Sequence, residues 1–325
     1  MPIDWSPFVE WVGKHQRYVL MTHAKPDCDA LGSEIGLAEV LRALGKEVRI
    51  TILGPLQPRY HYLDPEREIE TFHASMPGLD AIQAAIIVDT GTYNQIGEFG
   101  DFLRKSPIAR CVIDHHRTQN DMGGLTLVDV EAEATGRLIT EAADALGVAL
   151  NARAANACFI ALATDTGWFR HGNTRAETFA LGERLIRAGA KPTDLHEGLF
   201  DQQSLPRLRL IGLVLERIRV TPNGRVAYAD LFLKDFADTG TGPNETDDLI
   251  NYPRSVSGTE VAVFFTELVG GQIRVSLRSR QSIDIGQIAE QFGGGGHRNA
   301  AGCTLPGPMA SAQQQMLKAL EPLFQ

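Results

Sequence analysis

Acidic and imidazole side chains are concentrated in four short motifs, at residues 22–33, 88–90, 113–116 and 163–167. The motifs supply His23, Asp27, Asp29, Asp89, Asp114, His115, His116 and Asp165. Carboxylates gathered in one small site would raise each other's pKa and reduce stability unless cations neutralised them. Oxygen and imidazole ligands without a thiolate favour Mn²⁺ or Mg²⁺ over a structural zinc site, and two ions about 3.5–4 Å apart are common in phosphoryl transfer. We therefore expect two divalent cations, with Mn²⁺ preferred and Mg²⁺ or Co²⁺ as alternatives.

Each motif taken alone has a simpler explanation. A single aspartate at the end of a strand, such as Asp89 here, is usually a turn or cap residue. Asp27 or Asp29 would cap a helix that starts near Ala30. A His-His pair lies more often on the surface or in the core than on a metal. Four such motifs in this order are hard to explain in these ways together, so the joint pattern favours a metal site.

The elements predicted around the motifs place most of them at one edge of a sheet. Apolar runs predict strands at 18–21, 48–53, 85–88 and 111–113, and helical patterns occur at 30–44, 132–146, 152–163 and 175–188. Strands that alternate with helices indicate an α/β fold with a mostly parallel sheet. Ligands of such sheets bind beyond the carboxyl ends of the strands, where three of the motifs lie. The fourth motif follows a helical run and must reach that edge from there.

The pattern changes after about residue 191. The elements predicted beyond it are a helix at 204–219, a hairpin with an Asn-Gly turn at 220–226, strands at 260–268 and 272–278, and a closing helix at 309–323. We therefore predict a catalytic domain at 1–190, a helical linker at 191–219 and a substrate-binding domain at 220–325.

Composition limits the classes of partner. The net charge of −9 argues against extended duplex nucleic acid, which is usually gripped by a basic surface. No apolar run approaches the ~18 residues of a membrane span, and the N-terminal stretch does not resemble a signal peptide. The four cysteines are far apart and form no CxxC pair, which favours reduced thiols in a cytoplasmic enzyme.

The four motifs together resemble those of the DHH phosphoesterase family, named after the triplet that begins here at Asp114. The pattern HxxPDxDAxGS from His23, followed by Asp89 and Asp165, completes the set in the family's order. The second half resembles the DHH-associated domain in Arg278-Ser279 and in the segment GGGGHRNAAG at 293–302. The resemblance implies a mostly parallel-sheet DHH domain, a smaller α/β DHH-associated domain and an active-site cleft between them. The two-domain size is most similar to bacterial nanoRNases and phosphatases of 3′-phosphoadenosine 5′-phosphate (pAp), which act on short oligoribonucleotides and on pAp.

The resemblance also implies a role for each residue of the motifs. One ion would be held by His23, Asp27 and Asp89, and the other by Asp29, Asp89, His115 and Asp165. Asp114 would orient a histidine, and His116 would face the scissile phosphate as electrophile or proton donor. Cys28 departs from the family, which often has glycine there, and its sulfur would bear on metal preference.

The substrate would be gripped in the second domain by Arg278, Ser279, Gly294, Gly295, Gly296, His297, Arg298 and Asn299. Glycine backbones allow close approach and offer amide donors to phosphate, and arginine binds phosphate bidentately. A flexible linker and a surface arginine are the simpler alternatives. The expected partners are short single-stranded oligoribonucleotides or small nucleotides, with no long duplex and no membrane, and a homodimer remains open. Trp168 would stack a base or, more simply, belong to the core or an interface.

Alternative activities remain at this stage. Relatives hydrolyse linear or cyclic dinucleotides, so a cyclic-dinucleotide phosphodiesterase is one alternative. An inorganic pyrophosphatase or polyphosphatase would need the first domain alone, and the His297 segment argues against it. A non-catalytic nucleotide sensor would not need a complete ligand set. A RecJ-type exonuclease for long strands is disfavoured by the acidic charge and moderate length.

Overall fold

The structure is a computed structural model, and it describes residues 3–246, 248–280 and 283–324, with the side chains of residues 244 and 297 excepted. The chain divides between Gln202 and Gln203 into two units. The stretch predicted as a helical linker, residues 191–219, contributes one helix to each unit, at Pro192–Phe200 and at Leu205–Glu216.

The first unit is a parallel sheet with helices on both faces. Its strands are β1 (Arg17–Met21), β2 (Glu47–Ile52), β3 (Ile69–Thr71), β4 (Ala84–Val88), β5 (Ala109–Asp114) and β6 (Leu125–Val128). Its helices are α1 (Ser6–Gly13), α2 (Cys28–Ala43), α3 (Gly97–Lys105), α4 (Thr135–Ala145), α5 (Ala152–Asp165), α6 (Ala176–Arg187) and α7 (Pro192–Phe200). The strand order is β3-β2-β1-β4-β5-β6, and the pairings are parallel. The predicted α/β class with a mostly parallel sheet is confirmed.

The apolar runs within the strands arise because both faces of the sheet are covered by helices. Alternate residues of β1 enter different hydrophobic clusters: Tyr18 and Leu20 pack on the α2 side, and Val19 and Met21 pack on the α3 side. A strand covered on both faces has no polar alternation. Because β2 and β4 flank β1 on opposite sides, the chain order reverses there, and such a point opens a crevice at the carboxyl ends of the strands.

Helix α2 begins at the mouth of this crevice. The Asp27 side chain caps it by accepting hydrogen bonds from the backbone N–H groups of Asp29 (3.0 Å) and Ala30 (3.1 Å). Farther along, α2 lies against α5 so closely that a Cβ on Gly32 would be 2.3 Å from the Ala157 carbonyl oxygen. Glycine at this position therefore lets the two helices approach, and their ends carry Asp29 and Asp165.

The second unit is a smaller mixed sheet with helices. Its helices are α8 (Leu205–Glu216), α9 (Leu233–Thr239), α10 (Asn251–Arg254), α11 (Gly286–Gln291) and α12 (Met309–Leu320). Its strands are β7 (Arg219–Val220), β8 (Val226–Leu231), β9 (Val261–Glu267), β10 (Gln272–Ser279), β11 (Gly295–His297) and β12 (Ala300–Pro306). The order is β11-β12-β10-β9-β8-β7; β8 and β9 pair in parallel, and the other neighbours are antiparallel. The predicted smaller α/β domain is confirmed, and so is its Asn-Gly hairpin, where Gly224 has φ +72°. Among the described residues, no helix has the length and apolar character needed to cross a membrane.

Glu34 on α2 generates a prediction about stability. Its side chain is fully buried, and neither carboxylate oxygen has a hydrogen-bond partner among the described residues. Burial raises the pKa of Glu34 well above its usual value. A carboxyl group whose pKa is raised by folding stabilises the protein below its unfolded pKa, and that contribution is lost as the pH rises through the folded pKa. Glu34→Gln cannot ionise, so its stability relative to wild type should increase as the pH rises from about pH 5 upward.

Urea unfolding of both proteins across this pH range measures the effect. Glu10→Gln on the exposed face of α1 is the matched control and should show no such trend. A stability difference between Glu34→Gln and wild type that does not change with pH would contradict a neutral, buried Glu34.

Candidate metal centre

The carboxyl ends of three neighbouring strands bring the first three motifs together. His23 follows β1, Asp89 comes directly after β4, and Asp114 is the last residue of β5. Since β4 lies between β1 and β5 in the sheet, Asp89 occupies the middle position. Asp29 in the first turn of α2 and Asp165 at the end of α5 complete the cluster from the helical layer.

Asp89 points toward histidines on both sides. Its Oδ2 lies 3.4 Å from His23 Nε2, and its Oδ1 lies 3.5 Å from His115 Nε2. Oδ1 also accepts a hydrogen bond from the Thr135 hydroxyl, at 2.9 Å. The backbone of Asp89 has φ +60°, a left-handed conformation that is uncommon outside glycine and is found at functional sites. This uncommon backbone conformation directs the Asp89 carboxylate toward His23 and His115.

The ligand atoms fall into three overlapping groups, and within each group they lie within 4.8 Å of one another. The groups are His23, Asp27 and Asp89; Asp29, His115 and Asp165; and Asp89, His115 and His116. Asp89 belongs to the first group and contacts His115 of the second. The described structure therefore contains Asp/His sites that could hold a metal ion, with Asp89 between two of them.

Asp29 is held in place by groups that the sequence did not reveal. Its Oδ2 accepts a hydrogen bond from the backbone N–H of Thr135 (2.7 Å), and its Oδ1 accepts from the N–H of Gly136 (2.9 Å) and from the Ser33 hydroxyl (3.1 Å). These amides lie at the N-terminus of α4, where a carboxylate is favoured. The sequence predicted this helix from residue 132. The correct start, three residues later, is what makes the Thr135 and Gly136 amides available to Asp29.

Asp114 organises the triplet that follows β5. It is fully buried and accepts hydrogen bonds from His116 Nδ1 (2.8 Å), the backbone N–H of His115 (2.8 Å) and Gln119 Nε2 (2.5 Å). Burial acts to raise the pKa of Asp114, but the bonds from His116 and Gln119 outweigh it and hold that pKa below its usual value. The bond to Asp114 in turn raises the pKa of His116. Because Nδ1 of His116 faces Asp114, Nε2 is the nitrogen left for a ligand.

The aspartates of the cluster carry more negative charge than the neighbouring histidines can neutralise. Burial, and then the neighbouring carboxylates, raise the pKa of Asp89 and of Asp165 well above the usual value. Burial also raises the pKa of Asp29, against the opposing effect of His115, and lowers the pKa of His23. Divalent cations would relieve the repulsion, and the oxygen and nitrogen donors suit them. The residues present therefore fit bound divalent metal.

Cys28 does not take part in this cluster. Its side chain is buried, its Sγ lies 3.9 Å from the Tyr62 hydroxyl, and burial raises the pKa of the thiol to about 12. A thiol in that state is a poor metal ligand. The expected influence of this sulfur on metal preference is therefore not supported by its surroundings.

The residues of the second unit that the sequence predicted to bind substrate differ in their surroundings. Ser279 is buried, donates a hydrogen bond to the Ile283 carbonyl oxygen (2.7 Å) and accepts one from Asn299 Nδ2 (3.1 Å). Ser279 and Asn299 therefore contact each other at the end of β10. The backbone carbonyl of Arg298 accepts a hydrogen bond from the N–H of Ile285, at 2.8 Å. The side chain of His297 lies outside the described residues.

The glycine run is not a flexible linker. Gly295–His297 forms β11, which pairs with β12. The amides of Gly293 and Gly294 donate to the carbonyl oxygens of Glu290 (3.0 Å) and Ala289 (2.9 Å) at the end of α11. The expectation that Gly294 offers its amide to phosphate is therefore wrong. Glycine is required there for a different reason, since a Cβ would lie 2.2 Å from the Gly302 carbonyl oxygen.

Trp168 packs within the first unit. Its ring meets His196 edge-on at 5.0 Å and Phe200 at 5.6 Å between centroids, and it contacts the main hydrophobic cluster. These contacts support the structural interpretation of Trp168 over base stacking.

Comparisons with known proteins agree with the motifs. The model of the "DHH family, N-terminal domain" matches residues 17–162, and that of the "DHHA1 domain" matches residues 223–325. Two curated relatives are each named bifunctional oligoribonuclease and PAP phosphatase NrnA. The relative from Thermus thermophilus is 32% identical over 93% of this chain and 88% of its own length. The relative from Bacillus subtilis is 28% identical over 92% of this chain and 93% of its own length.

Solved structures agree in fold. An exopolyphosphatase-related protein from Bacteroides fragilis gives a TM-score of 0.92 at 24% identity, over 99% of this chain and 98% of its own. Exonuclease RecJ bound to manganese gives a TM-score of 0.55 at 16% identity, over 100% of this chain and 96% of its own. At these identities the likeness concerns the fold alone.

The cluster generates a prediction about metal binding. Mn²⁺ added to chelator-treated protein should raise the melting temperature, because ions that bind the folded state alone stabilise it by mass action. The rise should be larger at about pH 8 than at about pH 5, where protons compete for carboxylates with raised pKa. Differential scanning fluorimetry measures both values. Asp80→Asn, at an exposed position of the same unit, should respond like wild type. Loss of the pH dependence, or an equal rise in Asp89→Asn, would contradict this site.

Proposed function

The chain belongs to the DHH family and carries a DHHA1 domain, and we propose that it is a metal-dependent phosphoesterase that hydrolyses short oligoribonucleotides and pAp to mononucleotides. The observation that carries the proposal is the position of Asp89, whose two oxygens face different groups of metal ligands. The names of two relatives, similar over nearly their whole length, support the same substrates.

The ligand roles that we propose follow the geometry of the cluster. One cation is held by His23, Asp27 and Asp89, and a second by Asp29, Asp89, His115 and Asp165. Bound divalent cations would act as Lewis acids on the phosphoryl oxygens and lower the pKa of the attacking water. Mn²⁺ suits this donor set best, with Mg²⁺ or Co²⁺ as alternatives.

His116 is the proposed proton donor. Its Nδ1 is fixed by Asp114 at 2.8 Å, and that contact raises the pKa of His116, so the ring is charged over a wider pH range. About half of its side chain is exposed, which leaves Nε2–H accessible. From there His116 would donate its proton to the oxygen of the leaving nucleotide as the P–O bond breaks. Asp114, which contacts no substrate in this scheme, keeps the imidazole in the required orientation.

The second unit is proposed to position the substrate, chiefly through Arg278, with Gly295, Gly296, His297 and Arg298 near the nucleotide. The hydrogen bond between Ser279 and Asn299 would hold the end of β10, which carries Arg278, in position. We also propose that the enzyme acts in the cytoplasm, since its four cysteines are buried and unpaired. A homodimer stays a prediction.

A panel of substrates tests the proposed activity. With Mn²⁺ present, a diribonucleotide and pAp should be hydrolysed at least ~10-fold faster than pyrophosphate, polyphosphate or a cyclic dinucleotide, because specific recognition of a nucleotide end contributes a kcal/mol or more. An oligoribonucleotide of about twenty residues should also be cut more slowly, since a pocket that holds an end leaves limited room. Fastest turnover of polyphosphate, or a rate that rises with chain length, would sink the proposal.

Two substitutions test the assignment of roles. Asp89→Asn should reduce kcat by ~100-fold or more, the usual scale for lost electrostatic stabilisation, and should weaken Mn²⁺ binding. His116→Ala should slow the chemical step by ~100-fold while keeping the Mn²⁺-dependent rise in melting temperature. Asp80→Asn serves as the control for both. Near wild-type turnover of Asp89→Asn at saturating Mn²⁺ would show that Asp89 does not bridge the ions.

A further inference from the structure

Gln119 holds the second oxygen of the Asp114 carboxylate. Oδ1 of Asp114 accepts hydrogen bonds from the His116 ring (2.8 Å) and backbone N–H (3.1 Å), whereas Oδ2 accepts one from Gln119 Nε2, at 2.5 Å. Within the described part of the chain, no other group donates to Oδ2. The same Nε2 donates to the backbone carbonyl oxygen of His116, at 2.9 Å. Gln119 therefore contacts both members of the Asp114–His116 pair.

Gly91 leaves the space that the Gln119 amide occupies. It lies two residues after Asp89, and a Cβ at this position would be 1.6 Å from Gln119 Oε1 and 2.4 Å from Cδ. The two backbones are paired as well: Gly91 forms a parallel bridge with Gln119, and its carbonyl oxygen accepts a hydrogen bond from the Asn120 N–H, at 2.7 Å. The segment after β4 thus holds Gln119 beside the triplet that follows β5.

The orientation of the amide places its donor on Asp114. Oε1 of Gln119 is buried and has no hydrogen-bond partner among the described residues, which is unfavourable for a carbonyl oxygen. Exchanging the two ends of the amide would place Oε1 against Asp114 Oδ2, where two acceptors repel, and would give up both hydrogen bonds. The N–H end is therefore the part of this side chain that has a role.

We propose that Gln119 is a positioning residue for the proton donor, and that Gly91 provides the space it needs. The torsion that turns an aspartate carboxylate about its Cβ–Cγ bond is broad, so contacts to Oδ1 alone would leave the Asp114 carboxylate free to rotate. A second bond, to Oδ2, fixes the carboxylate plane, and the His116 ring that donates to Oδ1 is fixed with it. Nε2–H of His116 is then directed at the leaving oxygen, where a small misplacement slows the reaction. The proposal rests on the proposed function, in which His116 protonates the leaving nucleotide.

Two substrates that differ in leaving group provide the kinetic test. Gln119→Met keeps a similar side-chain volume but cannot donate, so kcat on a diribonucleotide should fall by ~10-fold with little change in KM, part of the ~100-fold or more that general acid catalysis contributes. On a p-nitrophenyl ester of a nucleotide the loss should stay below ~2-fold, because p-nitrophenolate leaves without needing a proton. Thr118→Ala, at an exposed neighbouring position, is the control. Equal losses on both substrates would overturn the positioning role.

A double-mutant cycle tests the pairing of Gly91 with Gln119. Gly91→Ala should displace the amide, and because the displaced group is the end of a flexible side chain, the melting temperature should stay near that of wild type while kcat on the diribonucleotide falls ~10-fold. In a Gln119→Ala background the same change should have no further effect, since residues that act through one contact are not additive. Gly13→Ala, whose Cβ would meet nothing within 4 Å, is the matched control. Losses that add would contradict the proposed pairing.

A spectroscopic measurement separates this proposal from the proposed function. In the full chain loaded with diamagnetic Mg²⁺, NMR follows solvent exchange of the His116 Nδ1 proton, which is identified by its loss in His116→Ala. Exchange should be ~10-fold faster in Gln119→Met and in Gly91→Ala than in wild type, because a less constrained Asp114 opens its hydrogen bond more often. If no phosphoester is hydrolysed, the proposed function fails while this difference still stands. Equal exchange in wild type and both variants would overturn the role of Gln119.

Discussion

The repulsion among buried carboxylates at the carboxyl ends of β1 and β4 is the constraint on which the first unit depends. Burial and the charge of neighbouring carboxylates raise the pKa of Asp29, Asp89 and Asp165. The protein offsets part of this with the amides at the start of α4 and with the neighbouring imidazoles. Bound divalent cations would neutralise the remaining negative charge. The metal-bound form of the cluster would therefore be both the more stable form and the catalytically competent one.

The fold brings these carboxylates together at one edge of the sheet. Chain order reverses at β1, so the segments after β1 and β4 diverge and leave a crevice between them. Gly32 brings α2 against α5, and the ends of these helices deliver Asp29 and Asp165 to the crevice. Substitution at Gly32 would therefore act on the cluster from a distance, through helix separation rather than through any ligand.

The sequence predicted those parts of the structure that leave a strong local pattern. Doubly covered strands read as apolar runs, which is why β1, β4 and β5 were visible, whereas the short edge strands β3 and β6 were not. The contacts of Thr135 with Asp29 and Asp89 depend on where α4 starts, and that boundary is set by tertiary contacts. The glycine run was ambiguous for a related reason: glycine permits both a mobile loop and the close strand pairing that Gly295–His297 adopts.

We propose that bond cleavage takes place in the first unit and that the second unit positions the substrate. The central claim is that Asp89 binds two metal ions. A crystal grown with Mn²⁺ and measured at the manganese absorption edge tests that claim directly. We expect two anomalous peaks about 3.5–4 Å apart, one beside His23 and the other beside His115, with an Asp89 oxygen bound to each. A single peak, or two peaks that leave Asp89 unbound, would contradict it.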